Sequence, residues 1–332
     1  MIVTKAAVVG AGVMGAGIAR HMESHGVEVT LIDNNTEQLA RAIEINKGHK
    51  IRYADHFKTI DSVDYAIEAV YEDLNVKRQT LIEISSSVSK DCIIASNTSS
   101  LLISDLAESV KNPYRFLGVH YNNPADLNPI VEVIPSNQTT EHCTQVALGW
   151  LLTAGKRPVK CKDTPCFILN RQSLPYINEA ARCISIATPS EIDYVARNRL
   201  GLELGPFEVM NLVGLSVMAA ASQNLQVLGT GYMAAEQLQQ KAKHDEPNWN
   251  LEKEIHVSQV KTSAIVKRLR GAMIFPGKDI LEKSLCSRDD LHMICKEALG
   301  YDKSSPELLE MFEPGVTNSL LTHYLSNQQE TC

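Results

Sequence analysis

His120 and Glu132 have the residue types and the spacing of an acid–base pair. His120 lies in the segment GVHYNNP at residues 118–124, and Glu132 follows twelve residues later among the apolar residues of PIVEVI. Histidine exchanges a proton near neutral pH, so it suits a base that removes an alcohol proton during hydride transfer. A buried carboxylate beside it would orient the imidazole and stabilise its charged form. A strand, a turn and a returning strand would bring the two together, although either residue taken singly is more often a strand cap or a solvated side chain.

The first residues of the chain have the pattern of a dinucleotide-binding βαβ unit. Strands are predicted at residues 6–9 and 27–32, with a helix between them that ends near Gly26. The glycines before this helix permit a tight turn, close approach of the backbone to a pyrophosphate, and close packing of the helix, whose N-terminus faces the phosphates. The residues predicted to contact the cofactor here are Gly10, Gly12, Val13, Met14 and Gly15.

Asp33, directly after the second strand, distinguishes between the two nicotinamide dinucleotides. A carboxylate at this position accepts hydrogen bonds from the adenosine ribose and repels a 2′-phosphate. The next residues, Asn34 and Asn35, provide no arginine that would bind such a phosphate. The cofactor predicted from these residues is NAD.

Further strands are predicted at residues 65–70, 92–95, 116–120 and 130–134, with helices between the first three. Alternating strands and helices indicate a doubly wound, mostly parallel Rossmann sheet, here at residues 1–162. In such sheets the ligand crevice lies outside the carboxyl ends of the strands. Ser99 follows one predicted strand and His120 is the last residue of another, so both are candidates for contact with a bound ligand.

The rest of the chain has the periodicity of an all-α half. Thr188 and Glu191 form a capping box with proline between them, Gly201 marks a helix end, a helix begins after Gly205, and another is expected at residues 233–242. A similar unit recurs ninety-nine residues later, with one inserted residue before Pro306, and chance similarity of two amphipathic helices is the alternative. The predicted domains are 163–262, for substrate and dimer contacts, and 263–332, a degenerate second repeat.

Bulk properties exclude several classes of partner. The net charge of −7 and a pI near 5.8 provide no basic surface for nucleic acid or an anionic membrane. The eight cysteines show no C-x-x-C pair, which indicates reduced thiols, and no metal site is expected. No apolar run is long enough for a membrane span, and a strand follows the N-terminus directly, so a cytoplasmic protein is expected. His21 and His25 are interpreted as a solvated helix face.

Six motifs in order resemble the L-3-hydroxyacyl-CoA dehydrogenase family over about residues 6–215: GAGVMGAGIA, EAVYEDLNVK, ASNTSSL, GVHYNNP with IVEVI, KDTPCFILNR and LGPFEVMNLVGL. The resemblance implies NAD-dependent oxidation of a 3-hydroxyacyl-CoA, with a short acyl chain. It implies His120 and Glu132 as the catalytic pair. It also implies substrate contacts from Ser99, Asn123 and Asn170, and NAD contacts from Glu72, Lys77 and Asn97. From the sequence, Asn170 could equally be the N-cap of a helix.

Three departures from the family pattern leave the substrate open. The segment 34–71 is shorter than the helical excursion that helps to cover CoA in the family, although Lys47, Lys50, Arg52 and Lys58 could meet a phosphate or simply form an exposed basic face. Asn122 replaces an aromatic residue and makes the predicted pocket wall more polar, and Cys166 replaces a glycine. A 3-hydroxy acid without CoA, an acyl-carrier-protein thioester and a non-catalytic NAD-binding protein are the alternatives.

The oligomeric state is also open. Single-copy relatives dimerise through the helical domain, and a second copy in the same chain could occupy that surface. The expectation is a homodimer, or a monomer with an intramolecular pseudo-dimer.

Overall fold

Residues 1–164 form a unit around an eight-stranded β-sheet. The computed structural model describes residues 3–244, 248–252 and 255–329. The strands follow the order β3-β2-β1-β4-β5-β6-β7-β8, and neighbours are parallel except for the antiparallel pair β6 and β7. Their bounds are β1 Lys5–Val9, β2 Glu28–Ile32, β3 Arg52–Ala54, β4 Tyr65–Glu68, β5 Ile93–Ser96, β6 Phe116–Tyr121, β7 Ile130–Pro135 and β8 Arg157–Lys160. The doubly wound, mostly parallel sheet is as predicted.

The predicted strands are the apolar ones. Central parallel strands are buried on both faces, so β4, β5 and β6 appear in the sequence as continuous apolar runs, and every residue in them is buried. The two strands that the sequence did not predict, β3 and β8, are the edges of the sheet. Each is short, exposed at its first residue and partly polar, which weakens the apolar signal. β8 also contains Pro158, a residue tolerated at sheet edges.

Three of the five α-helices described in this unit begin at an N-cap side chain that binds a free backbone N–H group. Asn35, Asp73 and Thr140 each accept a backbone hydrogen bond at the start of α2, α3 and α5. The α-helices of residues 1–164 are α1 Val13–Ser24, α2 Thr36–Ile45, α3 Leu74–Ser87, α4 Ile103–Ala107 and α5 Glu141–Thr153.

His21 corrects the interpretation of a solvated histidine pair on α1. His25 is exposed, but His21 is only 3% exposed. Its Nε2 donates to the carbonyl of Ala154 at 2.9 Å, so its Nδ1 is the acceptor for the Tyr121 hydroxyl at 3.4 Å. The ring is neutral because burial lowers the pKa of His21 to about 4.

Residues 165–332 form a second unit, and its described part is helical as predicted. The capping box of Thr188 and Glu191 is present, and Gly201 ends its helix with φ of 69°. The α-helices are α6 Leu169–Arg182, α7 Pro189–Leu200, α8 Pro206–Val213, α9 Leu215–Leu225, α10 Glu236–Lys241, α11 Gln259–Glu282, α12 Arg288–Met293, α13 Ser305–Met311 and α14 Pro314–Gln329. Among the described residues, no helix combines the length and apolarity that crossing a bilayer requires.

The domain boundary expected near residue 262 falls inside α11, and residues 165–332 cluster as one unit. The N-cap residues Thr188 and Ser287 are ninety-nine residues apart, as are Gly205 and Ser304. The second helix of the proposed copy therefore begins at the same offset, without the inserted residue expected before Pro306. The internal repeat itself stays a prediction. Cys332, one of the cysteines expected to be reduced, lies outside the described residues.

Candidate active site

His120 and Glu132 are direct cross-strand partners. They occupy opposite positions in the antiparallel register of β6 and β7, and His120 Nδ1 lies 2.7 Å from Glu132 Oε2. Glu132 is fully buried and His120 is 5% exposed. Because the carboxylate accepts a proton held on Nδ1, Nε2 is the basic nitrogen of the neutral ring. The hairpin thus produces an oriented imidazole backed by a buried carboxylate.

The second oxygen of Glu132 faces the other neighbouring strand. Cys161 follows β8, and its Sγ lies 3.8 Å from Glu132 Oε1. The position of Cys161 is fixed by a backbone hydrogen bond to the carbonyl of Val133 on β7. The carboxylate is therefore held between β6 and the end of β8, and its position does not depend on His120 alone.

The glycine-rich loop has the geometry that a dinucleotide requires. Gly10 has φ of 104°, and a Cβ on Gly15 would lie 1.7 Å from the carbonyl oxygen of Gly10, so both positions demand glycine. A Cβ on Gly12 would meet no atom within 4 Å, which leaves the loop open to a ligand at the start of α1. Val13 is 73% exposed there and Met14 is partly buried. These residues fit a bound pyrophosphate.

Asp33 lies beside this loop at the end of β2. Its Oδ2 accepts a hydrogen bond from the N–H of Ala11 at 2.7 Å, and its Oδ1 accepts one from Asn35 at 2.8 Å. Asn34 and Asn35 are both exposed, and Asn35 caps α2. The carboxylate is positioned where an adenosine ribose is bound in βαβ units, in agreement with NAD as the cofactor.

Glu72 connects the ends of β4 and β5. Its Oε1 accepts hydrogen bonds from Thr98 Oγ1 at 2.6 Å, the Ser99 N–H at 2.9 Å and the Ser100 N–H at 3.0 Å. Burial opposes the charge of Glu72, but the nearby Lys77 ammonium and these donors outweigh it and lower the pKa of the carboxyl group. Ser99, a predicted substrate contact, therefore lies in a turn that a carboxylate holds in place.

The side chain of Lys77 is buried, whereas a residue that contacts a ligand at the surface would be partly exposed. Its side chain is 1% exposed, and Nζ lies 2.9 Å from Glu68 Oε2, 3.3 Å from Glu72 Oε2 and 3.3 Å from the carbonyl of Val70. Burial opposes the charge, but the attraction of Glu68 and Glu72 outweighs it and raises the pKa of Lys77. The NAD contact expected of Lys77 stays a prediction, and the structure shows its ammonium group bound between carboxylates.

Asn97 and the two asparagines after β6 lie at neighbouring strand ends. Asn97 Oδ1 accepts a hydrogen bond from the N–H of Tyr121 at 2.8 Å, which ties the residue after β5 to β6. Asn123 is exposed, whereas Asn122 donates to the carbonyl of Ile130 at 3.3 Å. Asn122, expected to make a pocket wall more polar, thus uses its amide within the hairpin.

In the second unit, Asn170 is the second residue of α6, whose N-cap is Ile168. The alternative interpretation of Asn170 as an N-cap is therefore wrong, and the substrate contact stays a prediction. Cys166 and Phe167 precede the helix with φ of 60° and 51°. Cys166 replaces the family's glycine at a position where the left-handed backbone favours glycine.

Sequence reasoning missed Glu68 and Lys156. Glu68 is the last residue of the apolar strand YAIE, so the signal that identified Glu132, an acid among buried apolar residues, was also present there. Lys156 gave no such signal, because the main-chain carbonyls that its ammonium group binds lie about thirty residues away in the sequence.

The four basic residues that could meet a phosphate are all exposed: Lys47, Lys50, Arg52 and Lys58. Two of them form ion pairs, Lys47 with Glu44 and Arg52 with Glu28.

The sheet, the glycine loop and the histidine–carboxylate pair define an NAD-binding dehydrogenase. The chain belongs to the 3-hydroxyacyl-CoA dehydrogenase family. The family's NAD binding domain matches residues 5–164 and its C-terminal domain matches residues 167–253. NAD is accordingly its cofactor, and the chain is an NAD-dependent oxidoreductase of this family.

Relatives of known name agree with this assignment. The chain is 33% identical over 238 residues to 3-hydroxyadipyl-CoA dehydrogenase of Escherichia coli, covering 65% of this chain and 50% of that protein. It is 34% identical over 243 residues to human mitochondrial hydroxyacyl-coenzyme A dehydrogenase, covering 65% of this chain and 77% of that protein. The structure of (S)-3-hydroxybutyryl-CoA dehydrogenase from Ralstonia eutropha matches with a TM-score of 0.66 and 28% identity, over 72% of this chain and 93% of that chain. A 3-hydroxybutyryl-CoA dehydrogenase structure from Escherichia coli, 22% identical, shares the fold over 99% of this chain and 95% of that chain, with a TM-score of 0.83.

Proposed function

We propose that this protein oxidises the 3-hydroxyl group of a short-chain L-3-hydroxyacyl-CoA to the 3-oxo group. The observation that supports this most directly is the 2.7 Å contact between His120 Nδ1 and Glu132 Oε2 in a buried hairpin. The glycine loop and Asp33 would hold NAD, which when bound would supply the acceptor for the hydride from C3 of the substrate. His120 takes the hydroxyl proton at Nε2, and Glu132 keeps the imidazole oriented and stabilises its positive charge.

The remaining site residues bind and orient. Ser99, Asn123 and Asn170 would hold the hydroxyl and carbonyl oxygens of the substrate. The glycine loop and Asp33 would hold NAD, with further NAD contacts from Asn97 after β5 and from Glu72 and Lys77 after β4. The hydrogen bonds that Glu72 accepts from the turn at Thr98–Ser100 support this arrangement, because they fix Ser99 before any ligand binds.

The test is the rate of NADH formation with 3-hydroxybutyryl-CoA, free 3-hydroxybutyrate, L-gulonate and carnitine, each measured for the wild type and for His120→Gln. Selective turnover of the thioester by the wild type alone is the expected result. Turnover that survives His120→Gln contradicts the proposed base. Lack of turnover with all four substrates contradicts the proposed substrates and favours a carrier-protein thioester or a non-catalytic role.

A free 3-hydroxy acid is the second candidate substrate. Between Asp33 and the start of β4 the chain has α2, the three-residue strand β3 and one 3-10 turn at Phe57–Thr59, which is less cover for a CoA group than the family's longer excursion provides. Turnover of a free acid without turnover of the thioester would favour this candidate.

The oligomeric state and the cellular location are also proposals. The antiparallel bridge between Leu202 and Tyr301 joins the two segments that the repeat relates, which supports an internal pseudo-dimer. Sedimentation equilibrium distinguishes such a monomer from a homodimer. A cytoplasmic location stays a prediction, since some relatives are named as mitochondrial, and cell fractionation tests it.

A further inference from the structure

A buried ammonium group lies under the loop that joins the two strands of the His120–Glu132 hairpin. Lys156 is 4% exposed, and its Nζ donates to the main-chain carbonyls of Ala125 at 2.8 Å, Asp126 at 3.2 Å and Asn128 at 2.7 Å. A lysine ammonium has three N–H donors. The three carbonyls therefore use all of them.

This arrangement is costly for a surface loop. Burial disfavours the ammonium charge and lowers the pKa of Lys156, and the attraction of Asp126 only partly offsets that effect. The Asp126 carboxylate itself binds Arg20, with 2.8 Å between Oδ2 and Nε. The charge is thus stabilised mainly by carbonyl dipoles. The conformation of residues 125–128 therefore depends on the position of Lys156 Nζ.

The position of that atom is set by rigid elements. The N–H of Lys156 binds the carbonyl of Leu151 at the end of α5, and Arg157, the first residue of β8, binds the carbonyl of Pro129. On its other side the loop rests on α1, where a Cβ on Gly17 would lie 3.2 Å from that of Ala125. The loop is therefore held between α1 and the α5–β8 junction.

We propose that Lys156 is a positioning residue for the active site: through this loop it sets the place of Asn123 and the separation of the strand ends that bear His120 and Glu132. The proposal rests on the proposed function, in which Asn123 contacts the substrate. Lys156 itself touches neither substrate nor NAD. Its loss should reduce turnover while NAD binding at the glycine loop stays unchanged.

The decisive variant is Lys156→Ala. It leaves three carbonyl oxygens around a space the size of an ammonium or potassium ion, so either ion should refill it. We expect kcat/KM to fall by roughly 10²-fold, the cost of a displacement of about 1 Å. Ammonium or potassium chloride should restore part of this loss in a saturable manner, and lithium chloride at equal ionic strength should not. A merely structural lysine would give no such ion selectivity.

Two variants serve as controls. Lys156→Gln retains a neutral donor, one bond shorter than lysine, that fills most of the space, so it should fold, be less active than the wild type and not respond to ammonium. Lys160→Met removes an exposed lysine of β8 that pairs with Glu141 and should behave as the wild type.

Four results would overturn the proposal: wild-type kcat/KM in Lys156→Ala, no restoration by either ion, equal restoration by every salt, or failure of both Lys156 variants to fold. If the wild type turns over no substrate, the proposed function fails separately. In that case the conformation of the loop is monitored by measuring hydrogen exchange of the amides of residues 122–130 in Lys156→Ala. Ammonium should slow this exchange, and lithium should not.

Discussion

Two buried acid–base pairs have their acids in the same sheet and differ in what they can do. Glu68 and Glu132 are both fully buried in strands, and each contacts a nitrogen base, at 2.9 Å for Lys77 and 2.7 Å for His120. The Lys77 ammonium is surrounded by Glu68, Glu72 and the carbonyl of Val70, and its pKa is raised, so it remains charged. The neutral imidazole of His120 keeps a ring nitrogen that can accept a proton, whereas an ammonium group has no acceptor. Burial and pairing alone therefore do not mark a catalytic pair; the chemistry of the base does.

The largest effect expected is on turnover. His120→Gln should lower kcat by about 10²- to 10⁴-fold, the usual contribution of a general base, because glutamine cannot accept the proton. NAD affinity, measured by fluorescence titration, should stay unchanged. His25→Gln, which alters an exposed histidine of the same unit, is the matched control. If His120→Gln had a kcat near that of the wild type, the His120–Glu132 pair would not be catalytic and would not differ from the Lys77–Glu68 pair in this respect.

The next effect is on stability. Lys77→Met leaves the Glu68 carboxylate buried without its main counter-charge and should lower the free energy of unfolding by about 3–5 kcal/mol in urea titrations. His120→Gln should lower it much less. The double variant Lys77→Met/Glu68→Gln should recover part of the lost free energy of unfolding. A change below about 1 kcal/mol for Lys77→Met would show that this pair is not structural.

His21 is a third buried base, and its effect on stability should depend on pH. His21 stays neutral in the folded chain down to about pH 4, whereas an unfolded histidine binds its proton near pH 6.5. The unfolded state therefore gains a proton as pH falls through this window. The free energy of unfolding should drop by about 3 kcal/mol from pH 6.5 to 4 through this residue, with no loss above pH 6.5. His21→Gln should flatten that part of the urea-unfolding pH profile, and an unchanged slope would count against it.

The smallest effect concerns Asp33, a carboxylate at the end of β2 that is half-buried. Asp33→Asn keeps one acceptor oxygen for Ala11 and loses the charge, so NAD affinity should weaken by about tenfold, the loss of one charge-assisted hydrogen bond. The change is measured by titration with NADH. Unchanged affinity would show that the ribose is bound elsewhere.

Much of the fold could be predicted from the sequence because local rules determine it. The strands β1, β2 and β4–β7 match the predicted ones within about two residues, and the capping box at Thr188 was recognisable from its spacing. The edge strands β3 and β8 could not be predicted, because short polar edges lack an apolar pattern. The family was recognisable over the Rossmann unit and the first part of the helical unit.

The sequence by itself determined the glycine loop, the acid at its side and the presence of a histidine and a glutamate near strand ends. Only the tertiary structure decided which groups meet. The register of β6 against β7 places His120 opposite Glu132, and a shift of one residue would have turned their side chains to opposite faces. Packing likewise encloses Lys77 between carboxylates and brings Lys156 under a loop far away in the sequence. Capping and turn preferences act over a few neighbouring residues, whereas register and burial depend on the whole sheet.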